Sequence, residues 1–289
     1  FAIKRPYSIE MTTGSFHLSH RQILTLTGSD TLEFLNRILT CQLNGLKSGE
    51  GRYGALLTPQ GKILTDVFIL TDDNSVYLDL PASMIEDIQK RLTLLKLRAK
   101  IEIVASPDLG VFQSATNDVP NQVAVMQDER HPIPTYRIIA PAELADDNWP
   151  DALTSPEYQA ARFSAAIPEY GLDYNASEVF PSDVNLDILD GVDYHKGCFI
   201  GQEVVSRMKR KTEVRKRTLR VADLPETAES GSAITAGQST VGTLTSASGT
   251  AGLALIRLDR LSASALSGET PVIGEKPIIV LATRDTIDD

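Results

Sequence analysis

Cysteine is scarce in this chain: two in 289 residues, at positions 41 and 198. That excludes a disulfide framework of the kind that staples small secreted domains, and it suits a reducing compartment. It also excludes a four-thiolate iron–sulfur site within one subunit, so any cluster role needs ligands from elsewhere. A redox pair of Cys41 and Cys198 would require their Cα atoms to lie within about 7 Å. Histidine is equally thin. His17, His20, His131 and His195 are scattered, with no HExxH, CxxC or His–carboxylate cluster, so no metal site is expected. No apolar run approaches the ~20 residues needed to span a bilayer. Aromatic residues vanish after Phe199.

What is present describes an ordinary soluble protein, with 42% hydrophobic and 23% charged residues. The length allows two or three compact units with a substantial core. A net charge of −10 argues against broad affinity for nucleic acid or anionic membranes. Phe1 is not a natural start and Met11 is a better one, so the first ten residues read as appended or as an extended leader. Nothing there has the pattern of a signal peptide, and the cytoplasm is the expected compartment.

Along the chain, Leu18 to Thr27 reads as a strand ending at Gly28. Asp30 with Glu33 suggests a capping box before a helix whose Leu32, Leu35, Ile38 and Leu39 share a face. Tyr53 to Lys62 reads as strand, turn, strand; strands follow at Ile63–Leu70 and Ser75–Leu80, around the turn Asp72-Asp73-Asn74. Ser83 with Glu86 suggests a second capping box, leading a helix that aligns Ile85, Ile88, Leu92 and Leu95. Ile101–Val104, Val123–Met126 and Thr135–Ile139 read as strands, and Pro156 opens a helix to about Ala166. Gly61-Lys62 is no phosphate loop, because Gly54 is too far upstream and Ile63 replaces Ser or Thr. In the last third, strands at Thr218–Val221, Val241–Thr245, Leu253–Leu258 and Pro277–Leu281 suggest a small antiparallel barrel or sandwich. Glu226 to Ala236 reads as a surface loop.

The densest chemistry lies in Asp193-Tyr194-His195-Lys196-Gly197-Cys198-Phe199-Ile200-Gly201-Gln202-Glu203. Val204, Val205 and Met208 fall near helical spacing, so a helix starts around Gly201 or Gln202. A thiol near a helix N-terminus meets unpaired N–H groups, and a nearby ammonium also favours thiolate. The glycines permit positive φ or close backbone approach. The competing reading is a small buried hydrophobe, since reactivity depends on exposure.

Together, Asn185-Leu186-Asp187 and Lys196 to Glu203 resemble the signature of the YgfZ family, a folate-binding relative of the glycine-cleavage T-protein. The resemblance implies an α+β fold in three parts, with two α+β units around a central channel and a C-terminal antiparallel β-barrel. The implied division is 1–49 with 140–211 as the first unit, 50–139 inserted as the second, and 212–289 as the barrel. It implies a tetrahydrofolate-binding protein, holding tetrahydrofolate or a one-carbon derivative, that assists assembly or repair of iron–sulfur proteins. Its partners would be folate and iron–sulfur enzymes or assembly proteins, including those that modify tRNA. Cys198 and Lys196 would be the reactive pair, with Lys196 stabilising the thiolate. Gly197, Gly201, Gln202 and Glu203 would shape the folate site and the local turn. Asp66 aligns with a T-protein acid near the folate, or is an ordinary polar residue on an alternating strand. Arg162 resembles a family arginine and is either a ligand contact or a structural ion-pair residue. Ser164 stands where T-proteins place a pterin-binding glutamate, which points away from glycine cleavage.

The run Lys209 to Arg217 carries six cations and one anion. It is a solvated linker, a site for a polyglutamyl folate tail through Arg215 and Arg217, or an RNA contact. No interleaved aromatics support base stacking, so direct nucleic-acid binding is disfavoured. The rival functions are a folate-dependent aminomethyltransferase or demethylase, and an RNA-associated module. Membrane partners are not expected.

Overall fold

The computed structural model describes residues 14–146, 149–211 and 214–281. The expected start at Met11, and Thr212 and Glu213 of the basic run, lie outside the described residues. The chain opens with β1 (Phe16–His17), β2 (Arg21–Thr27), α1 (Thr31–Ile38), β3 (Gly51–Leu57), β4 (Ile63–Thr71), β5 (Ser75–Pro81), α2 (Ile85–Leu95) and β6 (Glu102–Ala105). Five of these strands form one antiparallel sheet in the order β3-β4-β5-β2-β6. Strand pairing crosses the expected boundary at Glu50, because β2 lies between β5 and β6. The two helices cover one face, where Phe34, Leu35 and Ile38 of α1 and Ile85, Ile88 and Leu92 of α2 pack on Leu24, Leu26 and Leu78.

Neither expected capping box forms. The Asp30 carboxylate accepts instead from the Lys100 N–H, 2.8 Å away, tying the start of α1 to the segment before β6. Ser83 lies inside a 3-10 turn (Ala82–Met84), so the N-cap of α2 is Met84, without a side-chain bond.

A second sheet uses β7 (Leu109–Ser114), β8 (Ala124–Gln127) and β9 (Tyr136–Pro141), in the order β1-β7-β9-β8. Strand β7 has no apolar–polar alternation because most of it is buried, and so it carries no pattern to read. Between the sheets lie Ile23, Phe68, Leu70 and Tyr77 from the first and Val111, Ala124 and Ile139 from the second.

That layer also holds charge. Arg21 donates to Asp79 at 2.7 Å and to Asp66 at 2.9 Å, and Arg137 of β9 donates to the other Asp79 oxygen. Arg130 makes a two-pronged pair with Asp128, at 2.8 and 2.7 Å. The Phe68 ring lies 3.6 Å from the Arg137 guanidinium carbon and 4.4 Å from that of Arg130. Asp79 is fully buried and joins β2, β5 and β9, so one carboxylate ties the two sheets.

The rest comprises α3 (Pro156–Ser164), α4 (Gln202–Lys211), β10 (Lys216–Ala222), β11 (Ala233–Ala236), β12 (Ser239–Ser248), β13 (Ala251–Arg257), α5 (Leu258–Leu266), β14 (Val272–Ile273), β15 (Lys276–Pro277) and β16 (Ile279–Leu281). Ser155 caps α3, its hydroxyl accepting from the Tyr158 N–H, and Pro156 occupies the first turn. The last seven strands form one antiparallel sheet, ordered β15-β14-β11-β12-β13-β10-β16. Its two edge strands are separated in the chain by Ile278 alone, so the sheet must curl until its edges nearly meet. The result is a nearly closed barrel filled by Leu219, Val221, Ile234, Val241, Leu244 and Ile256. Two expectations are corrected here. The Glu226–Ala236 loop ends in strand β11, and the run after Leu253 turns helical at Leu258.

The α+β reading with a C-terminal barrel holds. No described helix is long and apolar enough to cross a membrane.

Candidate functional site: an outward thiol beside a polar cleft

Segment 191–201 has no regular structure, yet it is fastened at both ends. At its start, the Asp193 N–H donates to the Thr40 carbonyl (3.0 Å), and the Thr40 hydroxyl donates to the Gly191 carbonyl. The Asp193 carboxylate accepts from the His195 and Lys196 N–H groups at 2.7 and 3.2 Å, which folds Asp193–Lys196 into a tight turn. At its end, Gly201 adopts φ +81°, and a Cβ there would lie 2.7 Å from the Thr58 carbonyl. Gly61, in the β3–β4 turn, reciprocates: its Cβ would meet Val204 at 3.0 Å. The start of α4 therefore rests directly on that hairpin.

Inside this frame, Lys196 and Phe199 are buried while Gly197 and Cys198 are exposed. Two buried side chains flanking two exposed residues push the thiol outward, four residues before the helix begins at Gln202. The Gln202 side chain reaches back to the Lys196 carbonyl at 3.5 Å, and Glu203 points to solvent.

The expected Lys196–Cys198 pairing is not what the geometry shows. The Lys196 ammonium turns inward, donating to the Leu39 carbonyl at 2.8 Å and to the Cys41 carbonyl. Burial lowers the Lys196 pKa, with Cys41 and Asp193 opposing. Cys41 is a fully buried thiol, pushed up to about 12 by burial against the opposing pull of Lys196. The two cysteines are both free, and they differ sharply in access. At pH 8, Ellman's reagent should therefore titrate one thiol per chain, with the second appearing only in denaturant; two fast thiols would contradict this assignment.

The two motif glycines also separate. Gly201→Ala should cost at least about 1–2 kcal/mol from the left-handed backbone alone, with the clash on Thr58 added. Gly197 has no atom within 4 Å of a would-be Cβ, so Gly197→Ala should leave the melting temperature unchanged.

Next to the loop lies a cleft of about 720 Å³, bounded by Arg52 and Tyr53, residues 126–130, Asp187, Asp190, residues 192–195 and Lys209 of α4. His195 lines it, whereas Cys198 does not. Lys209 sits 3.8 Å from the centre of the Tyr194 ring. Its lining includes the acids Glu129 and Asp190, which form no salt bridge among the described residues, and the cations Arg52 and Lys209.

Several expected ligand contacts are engaged in internal pairs. Asp66 is buried and bound by Arg21. Arg162 is buried against Asp173 at 2.6 Å, and Asp173 also accepts from Thr245 and Ser246 of β12, so the pair fastens α3 to the barrel. Ser164 donates to the Ala161 carbonyl within its own helix. Arg217 forms a two-pronged pair with Asp187, at 3.0 and 3.1 Å, while Arg215 is exposed. Asn185, at φ +63°, donates to the Ala166 and Thr218 carbonyls. The Asn185-Leu186-Asp187 motif is thus a clamp on the first barrel strand. Sequence reasoning missed Asp193 and Lys209 as site residues, although Asp193 opens the motif and Lys209 leads the basic run.

A whole-chain structural comparison aligns the molecule with the aminomethyltransferase T of the glycine cleavage system from Bartonella henselae. The TM-score is 0.74 at 16% identity, covering 94% of this chain and 85% of that one. The fold is that of the T-protein. Family profiles agree: the GCVT N-terminal domain matches residues 8–108, and the CAF17 C-terminal beta-barrel domain matches residues 215–280. Curated relatives carry a different name. Proteins named iron-sulfur cluster assembly factor IBA57 homolog, mitochondrial, are similar at 28% identity in Pyricularia oryzae (89% of this chain, 75% of that protein) and 26% in Neurospora crassa (73% and 54%). The human IBA57 protein is 26% identical over 85% of this chain and 78% of its own length. The chain spans about half the length of the Neurospora crassa relative. These relatives bear the IBA57 name, not the YgfZ name that the motif suggested. Each is described as mitochondrial, which overturns the cytoplasmic expectation.

Proposed function

We propose that this chain is an accessory factor in iron–sulfur cluster assembly or repair, with Cys198 as the group that meets a cluster-bearing partner. The observation that carries the reading is the outward thiol on a loop fastened at both ends. Thiolates are the customary ligands of iron–sulfur clusters. One exposed cysteine cannot hold a cluster alone, so the partner supplies the remaining ligands. The names of the curated relatives support this, including the word factor, which fits an accessory role better than an enzymatic one. Cluster enzymes that modify tRNA are among the clients this reading includes.

A reduced folate fits the cleft by size and by donor set. About 720 Å³ falls within the usual range for small-molecule sites. Glu129 and Asp190 would accept from the pterin amino and ring N–H groups, while Arg52 and Lys209 would hold the glutamate carboxylates. Arg217 does not fit a polyglutamyl tail, because Asp187 already occupies its guanidinium. When bound, tetrahydrofolate could supply a one-carbon acceptor. The aminomethyltransferase reading is weaker, because Asp66 is locked to Arg21 and Ser164 carries no charge.

Two measurements test the proposal. Cells lacking this chain should lose activity of iron–sulfur enzymes at constant enzyme abundance, and the wild-type gene should restore it; unchanged cluster enzymes would refute the assembly role. Calorimetric titration should show one site for tetrahydrofolate, weakened at least tenfold by Lys209→Glu, equivalent to about 1.4 kcal/mol. No binding of any reduced folate would remove the folate part alone.

A further inference from the structure

Far from the thiol in sequence, the end of α2 combines features that the fold does not explain. Among the described residues six large hydrophobic side chains are exposed, and three of them, Leu94, Leu95 and Leu97, fall within four positions. The buried stripe of α2 ends at Leu92; Leu95 is 38% exposed, and Leu94 and Leu97 are 76% and 86% exposed. Leu97 also follows the C-cap residue Lys96 with φ +48°. That position ordinarily takes glycine or asparagine, since a leucine in the left-handed region is strained. Neither burial nor backbone preference accounts for a leucine here.

Charge marks the same place. Ile88 to Ile101 contains Lys90, Arg91, Lys96, Arg98 and Lys100 and no acid, in a chain whose net charge is −10. Lys96 turns inward to the Ile101 carbonyl and Lys90 leans on Glu86, but Arg91 and Arg98 are exposed and form no salt bridge among the described residues. On a helix, positions 90, 91 and 94 share a face, so Leu94 is flanked by Lys90 and Arg91. An apolar centre with a charged rim is the make-up of a protein interface.

We infer that the C-terminal end of α2, with Leu94 and Leu97 as anchors and Arg91 and Arg98 as rim, docks an acidic segment of a partner protein that carries an apolar residue of its own. Charge complementarity selects the occupant: a second copy of this acidic chain would set basic patch on basic patch in a two-fold pairing, and two leucines bury too little for stable membrane anchorage. The inference does not depend on the assembly reading or on Cys198.

A photo-crosslinking amino acid placed at Thr93 of the full chain, in its own cells, tests it. The expected result is a crosslink to an Asp- and Glu-rich stretch of another protein, identified by mass spectrometry. The yield should fall at least tenfold with Arg91→Glu/Arg98→Glu, and likewise with Leu97→Gly. Leu97→Gly relieves the strained backbone, so its melting temperature should be equal or higher, which separates lost docking from lost folding. Four results would overturn the inference: a yield no higher than at a control position beside exposed Leu266; a crosslink to a stretch without acids; a crosslink to another copy of this chain; or Leu97-dependent flotation with phosphatidylglycerol vesicles.

Discussion

Replacing Asp79 with asparagine is expected to destabilise the chain by about 3–5 kcal/mol, read as a large drop in the urea midpoint. Asp79 has no solvent access, and its two oxygens face Arg21 and Arg137. Asparagine keeps the shape but removes the charge, leaving Arg137 buried without its ion-pair partner beside the Phe68 ring. A loss of that size is a large share of the 5–15 kcal/mol that holds a typical domain together. The carboxylate also contributes to the acid sensitivity of the fold. Burial opposes its ionised form, yet Arg137 and Arg21 outweigh burial and hold its pKa below the ordinary value. Asp128, buried against Arg130, is lowered in the same way. A carboxyl that titrates lower in the folded chain contributes its stability in full above the unfolded value near 4, and that contribution is lost as pH falls toward the folded value. These two carboxylates should thus contribute a decline in wild-type stability below about pH 5, shallower in Asp79→Asn. It comes on top of the loss near pH 6 expected from His17 and His131, whose pKa values burial lowers. A midpoint within about 1 kcal/mol of wild type would show that the two sheets are held by their apolar layer alone.

How far these features can be read from residues depends on the range over which they act. The helix after Gly201, the β3–β4 and β4–β5 turns and the start of α3 are local, and their glycine, proline and Asx signals give them away. The same local reading misleads where a distant group competes. Asp30 looks like an N-cap, but the Lys100 N–H, 70 residues on, takes its carboxylate. Lys196 sits two residues from Cys198 in sequence, yet its four-carbon stem reaches carbonyls more than 150 residues away. Arg217 belongs to a basic run, but folding sets it on Asp187, 30 residues earlier. The Arg21–Asp79–Arg137 tie spans strands from both sheets, and β7 is too buried to alternate. In each case the decisive partner is set by topology, which residue patterns do not encode.

Replacing Cys198 with alanine should leave the fold intact and remove the function. The thiol is exposed and the residues that hold its loop, Asp193, Lys196, Phe199 and Gly201, are untouched by the change. Cysteine to alanine at an exposed site typically shifts stability by no more than about 0.5 kcal/mol. Cys41→Ala is the converse: it empties a buried position next to Gly54 and should weaken the fold while sparing the outward thiol. The most direct measurement compares iron–sulfur enzyme activity, under oxidative stress, in cells carrying wild-type, Cys198→Ala or no copy of this chain at matched protein levels. The account predicts that Cys198→Ala behaves like the absent copy despite an unchanged melting temperature, and full activity in the Cys198→Ala cells would contradict it.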